Sequence, residues 1–131
     1  MRRLMLWIPP LVYMLVIFQL SSESHPVPMI AEHVWDKLLH FLEYGGLGAL
    51  LYRAFRGEGL TGTAALIVAA VTAATYGASD EWHQSFVPLR DSSIRDWLTD
   101  LLGGSTGAAL YGTLEKRWFN TALHPPRPPQ R

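Results

Sequence analysis

The stretch Leu60-Thr-Gly-Thr-Ala-Ala-Leu-Ile-Val-Ala-Ala-Val-Thr-Ala-Ala-Thr-Tyr-Gly-Ala-Ser79 holds no charged residue, and Asp80-Glu-Trp-His-Gln84 follows it without a break. A helix needs about 20 predominantly apolar residues to cross the hydrocarbon core of a bilayer. This run has that length, and its small residues suit helix-to-helix packing in lipid. The polar segment after it then falls at one end of a membrane helix.

Working outward, three more apolar runs appear. The first helix is expected over 4–20, behind Arg2 and Arg3. It reads as an uncleaved span, because Trp7, Pro9 and Pro10 interrupt it and no A-x-A-like cleavage site follows. The second is expected over 34–55, the third over 60–79 and the fourth over 94–113. The fold class predicted is an all-α membrane protein, a bundle of four transmembrane helices. Residues 1–117 form the membrane domain, and 118–131, ending in His124-Pro-Pro-Arg-Pro-Pro-Gln-Arg131, read as a Pro-rich cytoplasmic tail. With 131 residues there is room for one domain. The charged fraction of 17% lies below the roughly one quarter usual in soluble domains.

Orientation follows from the basic residues. Arg2, Arg3, Arg53, Arg56, Lys116, Arg117, Arg127 and Arg131 share one side if four helices alternate, and only Lys37, Arg90 and Arg95 share the other. The positive-inside rule then puts both termini in the cytoplasm. The loops 21–33 and 80–93 face outward.

Composition excludes several functions. A formal net charge of zero gives no nucleic-acid footprint. The absence of cysteine removes disulfides, thiolate metal sites and a thiol nucleophile. No Gly-rich phosphate loop is present, which argues against an ATPase.

Charges inside spans are costly, so each needs a reason. At about 100° per residue, Asp36, His40 and Glu43 form one stripe on the second helix. Lys37 lies off that stripe and is expected to snorkel to the surface. On the fourth helix Asp96 and Asp100 share a face, continued by Gly103 and Gly107, where another helix can approach closely. If the third helix runs one turn past Asp80, then Asp80, His83 and Gln84 share a face as well. All three stripes fall at the outward end. The five Trp lie near span ends, as in interfacial belts. Ser21-Ser22 read as a helix terminus, and Ser92-Ser93 as caps of the fourth helix.

Such a cluster suits a divalent ion, Zn, Mn or Mg, with Asp36, His40, Asp80, Asp96 and Asp100 as ligand candidates. Arg90 and Arg95, joined by Gln84 and Asp91, are the substrate-binding candidates, since Arg suits bidentate contact with phosphate. In a metal-assisted hydrolase or transferase, Glu81 or His83 is the general base. The competing reading is a hydrogen-bonded network that holds the helices together without chemistry.

Taken in order, Trp7-Ile-Pro-Pro-Leu11, Ile17-Phe-Gln-Leu-Ser-Ser22, Asp36-Lys-Leu-Leu-His40 with Tyr44, Asp80-Glu-Trp-His-Gln84, Phe86-Val-Pro-Leu-Arg90, and Asp96-Trp-Leu-Thr-Asp100 with Gly103 span about residues 7–112. This combination resembles the VanZ-like family of bacterial membrane proteins. Leu89 departs from the pattern, since the family often has Gly before the Arg. The resemblance implies a four-helix protein of the bacterial cytoplasmic membrane, in a family named for a protein linked to teicoplanin resistance. It supplies no reaction.

Together these readings give three expectations. The first is an envelope protein that binds or processes an anionic lipid-linked substrate, such as a cell-wall precursor, at the outer leaflet. The second is a non-enzymatic module that binds a lipid or partner protein. The third, ranked last, is a small ion carrier, which would have to oligomerise. The apolar helices over 4–20 and 60–79 offer faces either to lipid or to a second copy in a homo-oligomer.

Overall fold

The computed structural model describes residues 1–24, 32–90 and 92–123, with side chains described outside 32–36 and 119–123. Among the described residues there are four α-helices and no strand: α1 (Arg2–Ser21), α2 (Glu32–Gly57), α3 (Gly62–Gln84) and α4 (Ile94–Leu123). All four agree with the expected runs to within a few residues at their starts. Two run on further than expected at their ends. Helix α3 continues from Ser79 to Gln84, carrying Asp80–Gln84 as a last helical turn. Helix α4 continues to Leu123, because nothing between Gly112 and Leu123 breaks a helix and the first proline is Pro125. The expected tail from 124 onward lies outside the described residues.

Helices α2 and α4 form the closest pair, α3 lies against both, and α1 rests on α2 and touches α3. The α2–α4 contact is set by glycine. A Cβ on Gly107 would strike the backbone carbonyl of Gly45, one on Gly48 the carbonyl of Gly104, and one on Gly103 the carbonyl of Phe41. Backbones this near gain dispersion and Cα–H···O contacts that larger side chains would forbid. The expectation that Gly103 and Gly107 mark a close approach holds, and α2 is the helix that approaches.

Helix α3 turns a stripe of small residues inward: Ala65, Ala69, Ala73 and Gly77, one turn apart, followed by Asp80, Glu81 and Gln84. The stripe fits against Tyr44, Leu47, Leu51 and Tyr52 of α2, which supply the bulk of the core. Pro9 and Pro10 lie inside α1, and Pro10 is buried. Thr61 caps the start of α3, its Oγ1 accepting from the Ala64 N–H at 3.3 Å.

The exterior is apolar on every helix. Leu4, Leu11 and Leu15 of α1, Leu39 and Leu42 of α2, Ile67 and Val71 of α3, and Leu102 and Leu110 of α4 are all exposed. In water such a surface would drive association, whereas lipid tails cover it without penalty. Helices α1 and α3 are long and apolar enough to cross a membrane. Helices α2 and α4 carry more polar residues, and many of these point inward: His40, Asp96 and Asp100 are buried while leucines of the same helices face out.

Candidate functional site

One end of the bundle collects the end of α1, the first half of α2, the end of α3 and the start of α4. The buried polar residues gather there: Ser21, His40, Asp80, Glu81, Gln84, Asp96 and Asp100. Each arrives by helical periodicity. In α3 the small-residue stripe ends in Asp80 and Gln84, so those two inherit its inward direction. In α4, Asp96 and Asp100 lie on the glycine face that meets α2.

Specific pairs tie the cluster together. His40 Nδ1 and Asp100 Oδ1 are 2.8 Å apart, joining α2 to α4. The Ser21 hydroxyl donates to Asp80 Oδ1 at 2.6 Å, joining α1 to α3. Gln84 Nε2 donates to Asp80 Oδ2 at 3.2 Å. The Ser93 backbone N–H donates to Glu81 Oε2 at 2.7 Å, fixing the entry to α4. Lys37 Nζ lies 2.7 Å from Asp96 Oδ1. Lys37 therefore pairs across to α4 instead of snorkelling, because the lysine reaches the first turn of the neighbouring helix that also carries Asp100.

Two carboxylate oxygens and one hydroxyl in the core, Glu81 Oε1, Asp100 Oδ2 and Tyr44 OH, have no hydrogen-bond partner among the described residues. Buried acceptors are normally satisfied, so these are exceptions that call for an explanation. Gly77 makes room for one of them: a Cβ there would come within 2.9 Å of Asp100 Oδ2.

Beside the cluster is a cavity of about 60 Å³ lined by Leu20, Ser21, Leu39, His40, Glu43, Asp80, Gln84 and Arg90. On that measure a water needs about 10–15 Å³, so it admits a few waters or one small polar group. Its wall is mixed, with Leu20 and Leu39 opposite ionisable groups. Arg90 donates from Nε to the Glu23 carbonyl at 3.3 Å and from Nη2 to the Leu20 carbonyl at 3.2 Å. It thereby caps the carbonyl end of α1, where a cation is favoured, while still lining the cavity.

The remaining expected residues are placed differently. His83 is half-buried outside the cavity, its ring 4.5 Å from that of Phe18 and its Nε2 3.0 Å from Ser22 Oγ. Arg95 is exposed. The side chain of Asp36, and Asp91 altogether, lie outside the described residues. Ser21 and Glu43 are part of the cavity although neither was a site candidate. Glu43 was already visible in the α2 stripe. Ser21 was hidden by the commonness of serine at helix ends: it does end α1, and it also bonds Asp80. Trp97 departs from the belt reading too, since its indole N–H donates to the Ala74 carbonyl of α3 at 2.9 Å.

The opposite end has its own charges. Glu115 of α4 receives Arg56 at 3.0 Å and Tyr52 at 3.1 Å, and Glu58 receives Trp7 at 3.1 Å and Arg3 at 3.3 Å. These contacts clip the ends of α1, α2 and α4 together and enclose no cavity among those described.

Fold and site define an all-helical protein with an apolar exterior and ionisable groups drawn together at one end. The chain belongs to the VanZ/LLP1 family, whose model matches residues 3–115. Neither the curated proteins nor the solved structures give a match to it. Family membership and the apolar helices α1 and α3 together indicate a membrane protein.

Proposed function

We propose that the chain is a four-span protein of the bacterial cytoplasmic membrane that binds an anionic, lipid-linked envelope substrate at its outward end. The observation that carries this reading is the cavity, where Arg90 stands with His40, Gln84 and the carboxylates of Glu43 and Asp80 beside the exposed Leu20 and Leu39. A headgroup lodged there keeps its acyl chains against the apolar exterior, and Arg supplies charge-assisted hydrogen bonds to phosphate oxygens. Four spans with both termini inside are supported by two features: polar residues of α2 and α4 turn inward, and eight of the eleven basic residues fall on one side. Processing of the substrate, with Glu81 or His83 as base, is the extension of this reading, although neither lines the cavity.

A second reading has an observation of its own. Asp80 accepts from Ser21 and Gln84, and Asp96 from Lys37, as in a network that holds helices. In that case the protein is a non-enzymatic module.

Thermal unfolding in detergent tests the first. Phosphatidylglycerol should raise the melting temperature and phosphatidylcholine should not, with the gain lost in Arg90→Gln. A ligand at about 100 times its Kd adds about 2.7 kcal/mol, which is readily seen as a shift. Equal response to both lipids contradicts the proposal.

A further inference from the structure

We propose that His40, Glu81 and Asp100 form a site for one divalent metal ion of the zinc or manganese type, held between α2, α3 and α4. One ligand atom from each residue lies within 4.8 Å of the others, and all three residues are buried. The helices bring them together from distant parts of the chain, so the grouping is a product of the fold and not of a local acidic run.

Two further observations point to a cation. Glu81 Oε1 and Asp100 Oδ2 are buried without a hydrogen-bond partner among the described residues. Their sister oxygens are each held in place, by the Ser93 N–H and by His40. Each carboxylate is thus oriented by one oxygen and offers the other. Among the described residues the carboxylates gathered here are Glu43, Asp80, Glu81, Asp96 and Asp100, while the basic groups shown with them are Lys37, paired to Asp96, Arg90 in the cavity wall, and the imidazole of His40. A divalent ion offsets that excess where Glu81 Oε1 and Asp100 Oδ2 lack a hydrogen-bond partner among the described residues.

The donor set narrows the ion. One imidazole nitrogen with two carboxylate oxygens suits zinc, manganese or iron more than calcium, which prefers six to eight oxygens. Tetrahedral zinc with bonds of about 2.0 Å sets its ligands about 3.3 Å apart. Asp100 Oδ1 is engaged by His40 Nδ1 at 2.8 Å, so Asp100 would meet the ion through Oδ2 and Glu81 through Oε1. Three protein ligands leave a fourth position for water or a substrate oxygen. Asp80 and Asp96, expected ligands from the sequence, fall outside this group; Asp80 accepts at both oxygens from Ser21 and Gln84, and Asp96 Oδ1 is paired with Lys37. His40 also lines the cavity, which gives the ion a way in.

The test uses the full chain in detergent, with no His tag, stripped with EDTA and loaded separately with Zn²⁺, Mn²⁺ or Mg²⁺. Metal is then counted by mass spectrometry after desalting. About one Zn²⁺ or Mn²⁺ per chain is expected, with affinity falling at least about tenfold in Glu81→Gln and holding in His83→Ala. If Glu81→Gln does not elute as a single folded species, the unmodified chain decides, through a Zn²⁺-dependent rise in melting temperature that EDTA reverses. Less than about one tenth of an ion per chain with all three metals overturns the site. Full retention in Glu81→Gln overturns it as well. Phosphatidylglycerol added to the EDTA-stripped protein reads lipid binding apart from metal, so either proposal can fail alone.

Discussion

His40 of α2 and Asp100 of α4 meet at 2.8 Å in the interior, with Asp100 fully buried and His40 nearly so. Removing one member of a buried pair strands the other, at a cost of about 3–5 kcal/mol. His40→Ala and Asp100→Ala should each lower thermal stability by that order. The double variant should lose less than the sum of the two, because no unpaired charge remains. Additive losses in a double-mutant cycle would mean the pair does not hold α2 to α4.

Lys37 and Asp96 are also 2.7 Å apart, but the lysine side chain is 40% exposed. Exposed pairs contribute about 0–1 kcal/mol, and this one has a buried aspartate at its other end. Lys37→Met should therefore lower the melting temperature by less than His40→Ala does. A loss as large as that of His40→Ala would show that this pair, at the mouth of the cluster, is the structural clamp.

Gly107 packs directly on the Gly45 carbonyl, and Gly48 on that of Gly104. Gly107→Val should push α2 and α4 apart, at a cost of about 1–3 kcal/mol or more, since backbone cannot give way as a flexible side chain does. At Gly59 an added Cβ meets nothing within 4 Å, and there it is the backbone at φ 99°, not space, that favours glycine. Comparative unfolding of the Gly107 variant in detergent checks this, and an unchanged melting temperature would refute the glycine contact.

Leu89 has φ 66°, in the left-handed region where a side chain is strained. It stands just before Arg90, at the position where the resemblance to VanZ-like proteins leads one to expect glycine. Leu89→Gly should stabilise the turn by about 1 kcal/mol, the cost of a non-glycine residue in that region. A destabilised variant would mean that the exposed leucine makes a favourable contact with lipid that outweighs the strain.

The orientation is checked with an impermeant thiol reagent on whole cells. The chain has no cysteine, so Ser85→Cys, an exposed position just after α3, gives a single label. Labelling from outside is expected. Labelling only after the membrane is opened would turn the bundle over and move the cluster to the cytoplasmic face.

The sequence carried the helices well, because charge-free runs leave few alternatives in lipid. It also carried the convergence of Asp80, Asp96, Asp100 and His40, since an ionisable residue in an apolar helix must face inward. Which of them pair was not legible. Partner choice depends on helix rotation and neighbour order, and a shift of one residue exchanges Lys37–Asp96 for another contact. Ser21 was opaque for a different reason: a serine at a helix end already has a sufficient local explanation, and its bond to Asp80 comes from a helix 59 residues away. The end of α3 was read too early because composition changes at Asp80 while helical geometry does not.

The cavity beside Arg90 is expected to take an anionic lipid headgroup. Native mass spectrometry of the detergent-released protein, offered equal amounts of phosphatidylglycerol and phosphatidylcholine, tests it most directly. The account predicts retention of the anionic lipid by the unmodified chain, partial loss in Arg90→Lys and full loss in Arg90→Gln, with all three folded. Retention of both lipids alike, or anionic lipid kept in full by Arg90→Gln, would contradict it.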